Sequence, residues 1–483
     1  YVDVSGVYGR HSVDYFMRHT LNPQLLALTE EGITVANIPT DYNPGAYTQT
    51  DYSINLDLSR SLELGFASPV NVAFGGEHRQ EKFKVTQGGR NSWYQDLESG
   101  GLSEQGFGVG SNGFTGFGPR LAGTWSRNSY AGYIDVEAEV VPGITFGAAG
   151  RYEDHEDVGN TADFKFSGRW QAADTFAVRG AVSTGFRAPT PGQANILNIT
   201  TAFTAGVLAD EATLPPTHPA SLLLGGKALT PEESTNFTGG MVFNMGDLDV
   251  TFDYFHIKVK DRIARSGAQD LTPAQTQTLK DQGVAGADAL TSVRFYTNDF
   301  DTVTQGIDIV ATYPMEMFGG NTIFNFAANW TKTEVDSRDP FVDINGDPIL
   351  TDAGEIQYAI DDKRVIQLER NLPRIRFTGT ASHRNGPWDF TTRLRFYGKF
   401  TEFSTDSGGA RLDAGSRALI DIEASYTWND NLTFILGADN VFDTHPTDQS
   451  NNASPYVSGQ EYAETSPYGF NGGFYYLRAI WQY

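Results

Sequence analysis

The amino-acid sequence predicts an all-β protein, a large antiparallel transmembrane β-barrel, and three observations carry the prediction. Residues 472–483 alternate between two kinds of side chain, and similar segments recur along the chain. Short turns alternate with long polar connections. No apolar run approaches the roughly 18 residues that a membrane-spanning helix needs, so a chain of this kind has to cross a membrane as a barrel.

The final segment shows the alternation most clearly, because successive strand side chains point to opposite faces. One face is wholly apolar, as expected for contact with lipid, whereas the other is mixed and suits a wetter interior. The apolar face consists of Tyr475, Leu477, Ala479, Trp481 and Tyr483. The mixed face consists of Phe474, Tyr476, Arg478, Ile480 and Gln482.

Short turns join the clearest strands into pairs. Residues 133–141 and 144–152 flank Pro142-Gly143, and glycine, proline, asparagine and aspartate supply the backbone angles of such tight hairpins. We expect about 17 visible strands. They lie near Val2, Ser12, Ser53, Val70, Tyr130, Ile144, Ala162, Phe176, Thr235, Asp249, Val293, Thr322, Arg374, Trp388, Arg417, Leu432 and Gly473.

Long polar connections separate these hairpins, and loops of this length are uncommon in compact soluble domains. Short turns on one side and long loops on the other are typical of an outer-membrane barrel, whereas a soluble β-sandwich or propeller would show no such asymmetry. Thr272-Pro273 indicates a helix start inside the fourth loop. The loops cover residues 21–49, 87–129, 188–231, 264–292, 335–370 and 443–471.

Composition and charge restrict the function. The net charge of −24 argues against a nucleic-acid partner, because phosphate binding requires a basic surface. The absence of cysteine fits passage through an oxidising periplasm. The eight histidines show no HExxH spacing, and neither a GxSxG elbow nor a phosphate loop is present, so we predict no enzyme and no cofactor.

Several segments resemble one family of membrane proteins. Ser183-Thr-Gly-Phe-Arg-Ala-Pro189 is similar to a family motif of the form S.GFRAP, and residues 229–234, LTPEES, are similar to L.PE.S. Residues 68–79, 150–155, 371–374 and 437–443 extend the likeness. The chain therefore resembles the C-terminal two thirds of a TonB-dependent outer-membrane receptor, with Tyr483 in the terminal position where phenylalanine is commoner.

The resemblance implies a 22-stranded barrel that is incomplete at the N-terminus of this chain, with residues 1–483 forming the barrel domain and with the family's plug and energy-coupling box absent. It implies import of a scarce, bulky solute, most often a ferric siderophore chelate, across the outer membrane of a Gram-negative bacterium. A non-energised scaffold that anchors surface proteins and a passive porin are the alternatives.

The resemblance also implies partners. These are outer-membrane lipid and lipopolysaccharide, the TonB energy-coupling complex through the missing N-terminal part, the barrel assembly machinery through Tyr483, and surface proteins on the long loops.

Charged side chains on the strands predict an inner wall. A charge that faces mid-bilayer lipid costs roughly 2–4 kcal/mol for arginine or lysine, so we expect these groups to face the lumen. They form either a docking wall for a plug, a conduit for an anionic solute, or an internal charge ladder, which is the interpretation we favour. The residues are Arg374, Arg376, Arg393, Arg395, Asp421 and Glu423. Asp135, Glu137 and Glu139 form a similar acidic row, with Arg151 expected opposite.

Aromatic residues in one glycine-rich loop are candidates for substrate contact; the alternative is that they pack the loop on itself or belong to the upper aromatic girdle. They are Trp93, Tyr94, Phe107, Phe114, Phe117 and Trp125. At the GFRAP motif, Phe186, Arg187 and Pro189 form a corner to which we assign a structural role, because proline stops sheet pairing. Residues 343–347 with Asp352 and Glu355 resemble a calcium loop, but glycine falls at the wrong position, and we predict no resident metal.

Overall fold

The structure is a computed structural model. It describes residues 1–96, 101–102, 105, 107–204, 207–284, 287, 290, 292–342, 347–350, 354–403, 411–448 and 461–482, with the side chains of 199–211 and 403 left out. Asp343, Asp352 and Tyr483 therefore lie outside the described residues.

One antiparallel sheet dominates the fold, and its strands follow one another in chain order, each pairing with the next. The sheet contains sixteen strands. They are β1 (Val2–Met17), β2 (Tyr42–Leu62), β3 (Val70–Gln87), β4 (Gly123–Val141), β5 (Ile144–His155), β6 (Gly159–Ala173), β7 (Phe176–Arg187), β10 (Glu232–Met245), β11 (Leu248–Lys260), β16 (Phe300–Met317), β17 (Gly320–Arg338), β18 (Ile375–Asn385), β19 (Trp388–Tyr397), β22 (Arg417–Asn429), β23 (Leu432–Asp439) and β24 (Phe474–Trp481).

The long loops carry smaller elements. Their strands are β8 (Asn198–Thr204), β9 (Val207–Thr213), β12 (Ala264–Arg265), β13 (Gln269–Asp270), β14 (Ser292–Arg294), β15 (Tyr296–Thr297), β20 (Phe400–Phe403) and β21 (Arg411–Ala414). The helices are α1 (Arg90–Trp93), α2 (Pro191–Asn195), α3 (Pro219–Leu223), α4 (Pro273–Asp281) and α5 (Asp362–Arg370), with 3-10 turns at Pro23–Ala27 and Thr29–Glu31. Among the described residues, none of the helices has the length and apolar character needed to cross a bilayer.

The predicted strand count is wrong by one. Val2 and Ser12 belong to the single strand β1, because Gly6 and Gly9 continue its ladder with β2 rather than forming a turn. Val293 lies in β14 of a loop sheet, and the sheet strand expected there is β16. Two connections also differ from the expected loop pattern, since 156–158 is short and 398–416 is long.

The outer face of the sheet carries two rows of aromatic side chains, as expected where a barrel meets the two membrane interfaces. Near the short turns, Trp388 packs on Tyr426 with ring centroids 4.5 Å apart, and Trp428 is 67% exposed. Toward the loops, the His78 ring lies between Tyr52 and Tyr130, at 5.8 and 4.8 Å. We call the second row the loop-side girdle; it contains Tyr8, Tyr52, His78 and Tyr130.

Three long loops share one hydrophobic cluster above the sheet, which we call the loop core. They are the connections 188–231, 261–299 and 339–374, and α3 packs beside α4 within them. Shared burial makes these loops one packed unit rather than three separate ones. The loop core contains Ala212, Leu214, Ala220, Leu224, Leu279, Ala287, Val293, Phe295, Phe341 and Ala359.

Candidate functional site at the outer mouth

Aromatic side chains line the inner face of the first four strands at their loop ends. Tyr15, Tyr47, Phe83 and Trp125 come from β1, β2, β3 and β4 respectively. Neighbouring rings are in contact, with centroid distances of 5.8 Å between Tyr15 and Tyr47, 5.6 Å between Tyr47 and Phe83, and 6.0 Å between Phe83 and Trp125. These distances lie in the range of favourable aromatic pairs.

The connection 88–122 folds against this aromatic row. Phe114 stacks on Tyr15 at 4.6 Å, and Phe117 lies 4.6 Å from Tyr47. Gly45 makes this possible: its φ is +109°, and a side-chain carbon there would come within 2.9 Å of the Phe117 ring. The glycine-rich loop is therefore fastened to the barrel wall by its own aromatic residues.

The six aromatic residues predicted to contact substrate have different surroundings, and only some of them belong to the aromatic row on the wall. Phe114, Phe117 and Trp125 belong to the wall cluster, and Phe117 is fully buried, so its ring does not reach the surface. Trp93 donates its indole N–H to the Gly88 carbonyl (3.0 Å), and Tyr94 lies under the Arg90 guanidinium. Phe107 is 44% exposed, which is the largest exposure in the set. Substrate contact by these residues stays a prediction.

Two buried amides that sequence reasoning missed connect this loop to its neighbour. The Asn22 side-chain amide donates to the carbonyls of Asn91 (2.9 Å) and Tyr94 (3.0 Å), and the Gln24 amide donates to Phe107 (2.8 Å). Asn22 and Gln24 are fully buried. Asn22-Pro23 is a turn signal that could have located the anchor but not its partners.

The charged side chains predicted to line the inner wall lie on one face of β18, β19 and β22. Arg393 is in register with Asp421, and the Arg395 guanidinium lies 2.6 Å from the same carboxylate. Asp421 also accepts the Asn440 N–H at 2.8 Å, and Glu423 accepts the Tyr476 hydroxyl at 2.6 Å. Arg393, Asp421, Glu423 and Tyr476 line a cavity of about 100 Å³, which is too small for a bulky solute.

The two remaining arginines lie apart from that cavity. Arg376 is in register with Tyr397, and Arg374 precedes β18 and borders a separate groove at the loop end. The predicted pairing of Arg151 with the acidic row is wrong, because Arg151 binds Glu77 (2.8 Å) and Glu153 (2.7 Å) instead. The register explains this difference, since Arg151 lies opposite Tyr133 on β4.

The GFRAP corner brings the two quoted motifs together. Arg187 donates two hydrogen bonds of 2.6 Å to Glu232 of LTPEES, its register partner on β10. Glu232 is buried and also accepts the Ile263 N–H at 2.6 Å. The Pro189 carbonyl accepts a 2.6 Å bond from Arg127, a buried residue that also pairs with Glu81. Phe186 packs edge-on against His155 at 5.5 Å.

A few groups outside the membrane-spanning segments have displaced pKa values. Burial lowers the pKa of His218, whose Nδ1 accepts the Ala220 N–H (3.2 Å) at the start of α3. The hydrogen bond from Thr401 and the adjacent Arg411 guanidinium lower the pKa of Asp413 in β21. Neutral His218 and ionised Asp413 are thus the forms that the folded loops favour.

An antiparallel sheet with an apolar aromatic outer face, a charged inner face and long loops at one end defines a transmembrane β-barrel. The chain belongs to the TonB-dependent receptor family, because the family model described as "TonB dependent receptor-like, beta-barrel" matches residues 2–441. Its members are transport receptors rather than enzymes, and the family places the barrel in the outer membrane of a Gram-negative bacterium. No curated protein sequence matches the chain.

Solved structures share the fold. The siderophore receptor PirA from Acinetobacter baumannii is 16% identical with a TM-score of 0.60, over 99% of this chain and 60% of that one. A single-site mutant of the ferric enterobactin receptor PfeA from Pseudomonas aeruginosa is 16% identical with a TM-score of 0.60, over 99% of this chain and 59% of that one. The FrpB iron transporter from Neisseria meningitidis is 13% identical with a TM-score of 0.56, over 99% of this chain and 60% of that one. The chain thus spans about 60% of the length of these similar proteins.

Proposed function

We propose that this barrel belongs to an energised outer-membrane transporter that imports a scarce, bulky solute, most specifically a ferric siderophore-type chelate. Family membership is the observation that carries the proposal. The printed names of the similar structures, a siderophore receptor, a ferric enterobactin receptor and an iron transporter, support the choice of substrate class. The partner that supplies energy is the TonB complex, and the partners during biogenesis and residence are the barrel assembly machinery and lipopolysaccharide.

In this proposal the substrate first meets the outer mouth. Flat aromatic faces bind chelate rings by burying apolar area, and Phe107 offers such a face at the surface. The fastened loop 88–122 gives that face a fixed position, which reduces the entropy lost on binding. The charged inner wall keeps the lumen hydrated below it.

The test is uptake of radiolabelled iron by a deletion strain that expresses the full gene. We expect accumulation from one class of ferric chelate, and none when the inner-membrane energy source is collapsed. Accumulation that continues without the energy source would favour a passive porin. No uptake of any iron, cobalamin, nickel or oligosaccharide substrate would refute transport.

The loop core favours a second candidate, a scaffold for surface proteins, because three loops that pack on one hydrophobic cluster present a joint surface. Affinity purification of the intact barrel from crosslinked cells distinguishes the two. A stoichiometric surface protein that is lost when the loop core is mutated, together with absent uptake, would favour the scaffold.

A further inference from the structure

A tyrosine side chain crosses a whole strand on the inner face of the sheet. Tyr133 of β4 lies over Gly75 of β3, where an added side-chain carbon would be 2.6 Å from its ring. The Tyr133 hydroxyl donates a 2.6 Å hydrogen bond to Asp57 of β2. The three residues form one register row. Because neighbouring strands are about 4.8 Å apart, the ring has to lie flat on the middle strand to span about 9.6 Å.

The same arrangement recurs at the last strand. Tyr476 of β24 lies over Gly437 of β23, and its hydroxyl donates a 2.6 Å hydrogen bond to Glu423 of β22. Gly437 is in register with both partners. A side-chain carbon at Gly437 would overlap the Tyr476 ring, so the crossing requires glycine in the middle strand.

A salt bridge forms the third crossing. Asp253 of β11 reaches over Gly240 of β10 and accepts bonds of 2.9 and 2.6 Å from Arg179 of β7. Gly240 is in register with both charged residues, and a side-chain carbon there would overlap the Asp253 carboxylate. The bridging groups differ in chemistry from the two tyrosines, but the glycine in the middle strand is shared.

All three crossings lie at one height on the wall. Each middle glycine is five residues from the short-turn end of its strand, which is Val70 for β3, Met245 for β10 and Leu432 for β23. A strand rises about 3.3 Å per residue, so this distance is about 16 Å along the strand. The crossings therefore form a belt along the inner wall, and they connect nine of the sixteen strands in three groups of three.

The belt distinguishes the native register from a slip of two residues. Alternation excludes a slip of one residue, which would exchange the two faces, but a slip of two leaves each side chain on its own face. Between β23 and β24, such a slip would place Ile435 or Asp439 beneath Tyr476 instead of Gly437. The ring can then no longer lie flat, and its hydrogen bond to Glu423 is lost.

The other two crossings exclude the same error. A slip of two between β3 and β4 would bring Ala73 or Glu77 beneath Tyr133. A slip of two between β10 and β11 would bring Thr238 or Val242 beneath the carboxylate of the third crossing. None of these four residues is a glycine, so each would displace the crossing group.

We propose that the three crossings are register locks, which select the native strand pairing while the barrel assembles. Each lock consists of a glycine in a middle strand and the two side chains that meet above it. Glu423 then serves the wall itself, as the charge-ladder interpretation of the inner wall predicts. The inference depends on the strand register and on no imported solute, so it goes beyond the transport proposal.

Disulfide trapping reports the register directly, because this chain contains no cysteine of its own. Leu436→Cys with Leu477→Cys forms the native pair, at two exposed positions that lie opposite each other. Leu436→Cys combined with Ala479→Cys or with Tyr475→Cys reports a slip in either direction. Disulfides form at Cα separations of about 4.4–6.8 Å, whereas diagonal neighbours lie about 7–8 Å apart, so these pairs crosslink efficiently only after a slip.

The full-length protein, unfolded in urea and reduced, is folded into phosphatidylcholine vesicles and oxidised at timed intervals. With all locks intact we expect the native crosslink to dominate. Loss of a hydrogen bond to a charged group changes an equilibrium about tenfold, so Tyr476→Phe should raise the ratio of slipped to native crosslink about tenfold. Gly437→Ala should raise the ratio further, because the added methyl group also displaces the ring.

Gly379→Ala is the matched control, since Gly379 also lies within a strand but has no atom within 4 Å of an added side-chain carbon. It should leave the ratio unchanged. Glu423→Gln keeps an acceptor for the Tyr476 hydroxyl and should change the ratio less than Tyr476→Phe does.

Equal crosslink ratios in Gly437→Ala and Gly379→Ala would overturn the proposal. A lower folded yield of Gly437→Ala in which only the native crosslink forms would overturn it as well, because the glycine would then support stability and not the choice of register.

Discussion

The ion pair at the GFRAP corner offers a sharp test of how the outer end of the barrel is held. Arg187→Ala removes both hydrogen bonds to Glu232 and leaves a buried carboxylate with the Ile263 N–H as its remaining close donor. Hydrogen bonds to charged groups contribute about 1.5–3 kcal/mol each, but the Arg187 side chain is 50% exposed and water replaces part of the loss. We therefore expect a local cost of about 2 kcal/mol.

Hydrogen exchange measures this cost directly, because the Ile263 amide is bonded to Glu232 at 2.6 Å. A change of about 2 kcal/mol corresponds to roughly thirtyfold faster exchange of that amide. The effect should be smaller in Arg187→Lys, which keeps one charged donor.

The same strand supplies a control. Arg179 makes an equally bidentate pair with Asp253, at 2.9 and 2.6 Å, but the Asp253 side chain is 31% exposed whereas that of Glu232 is 9% exposed; the two arginines are exposed to the same degree. Arg179→Ala should cost no more than about 1 kcal/mol and leave the Ile263 amide unchanged. If Arg187→Ala does not accelerate Ile263 exchange beyond this control, the corner is not held by the buried carboxylate and our reasoning is wrong.

Two further predictions concern the loops. Phe117→Ala should cost about 3–4 kcal/mol of local stability and make residues 88–122 sensitive to protease, because Phe117 is fully buried. Phe107→Ala, at an exposed position, should leave digestion unchanged. Equal digestion of both variants would contradict the anchoring role of the aromatic cluster. The lowered pKa of His218 means that its neutral form supports the fold above its ordinary pKa near 6.5. That support is lost as the pH falls through 6.5 toward the lower folded value, so exchange of the Ala220 amide, corrected for its intrinsic pH dependence, should accelerate there. His218→Asn, which keeps an acceptor, should remove the pH dependence, and an unchanged acceleration in that variant would count against His218.

Local patterns explain the parts of the site that were predictable. Alternation predicted that Arg393, Arg395, Asp421 and Glu423 share one face of the sheet, because strand side chains have a period of two and the register preserves it. The start of α4 at Thr272 was also predictable, since its hydroxyl and Gln275 form a capping box.

Pairings between distant segments were not predictable in the same way. Arg151 pairs with Glu77, which lies two strands away, rather than with the acidic row on the adjacent strand β4. Long side chains reach beyond the residue directly opposite, and the register decides which charged residues lie within their reach. The segment around Val293 has the residue types of a strand in the main sheet, yet it forms β14 and pairs with β9 in the loop core. Strand propensity alone cannot distinguish the main sheet from the loop sheet, since the same residue types suit a strand in either one.

By itself the sequence determined the barrel class, its lipid and water faces and the end that carries the loops, because each depends on the spacing of neighbouring residues. Only the tertiary structure decided that loop 88–122 folds back on the wall, that three loops share a core, and that Tyr476 crosses β23 to reach Glu423. Those features join residues that are far apart in the chain, and the free energy that brings them together comes from burial and charge contacts that no local pattern records.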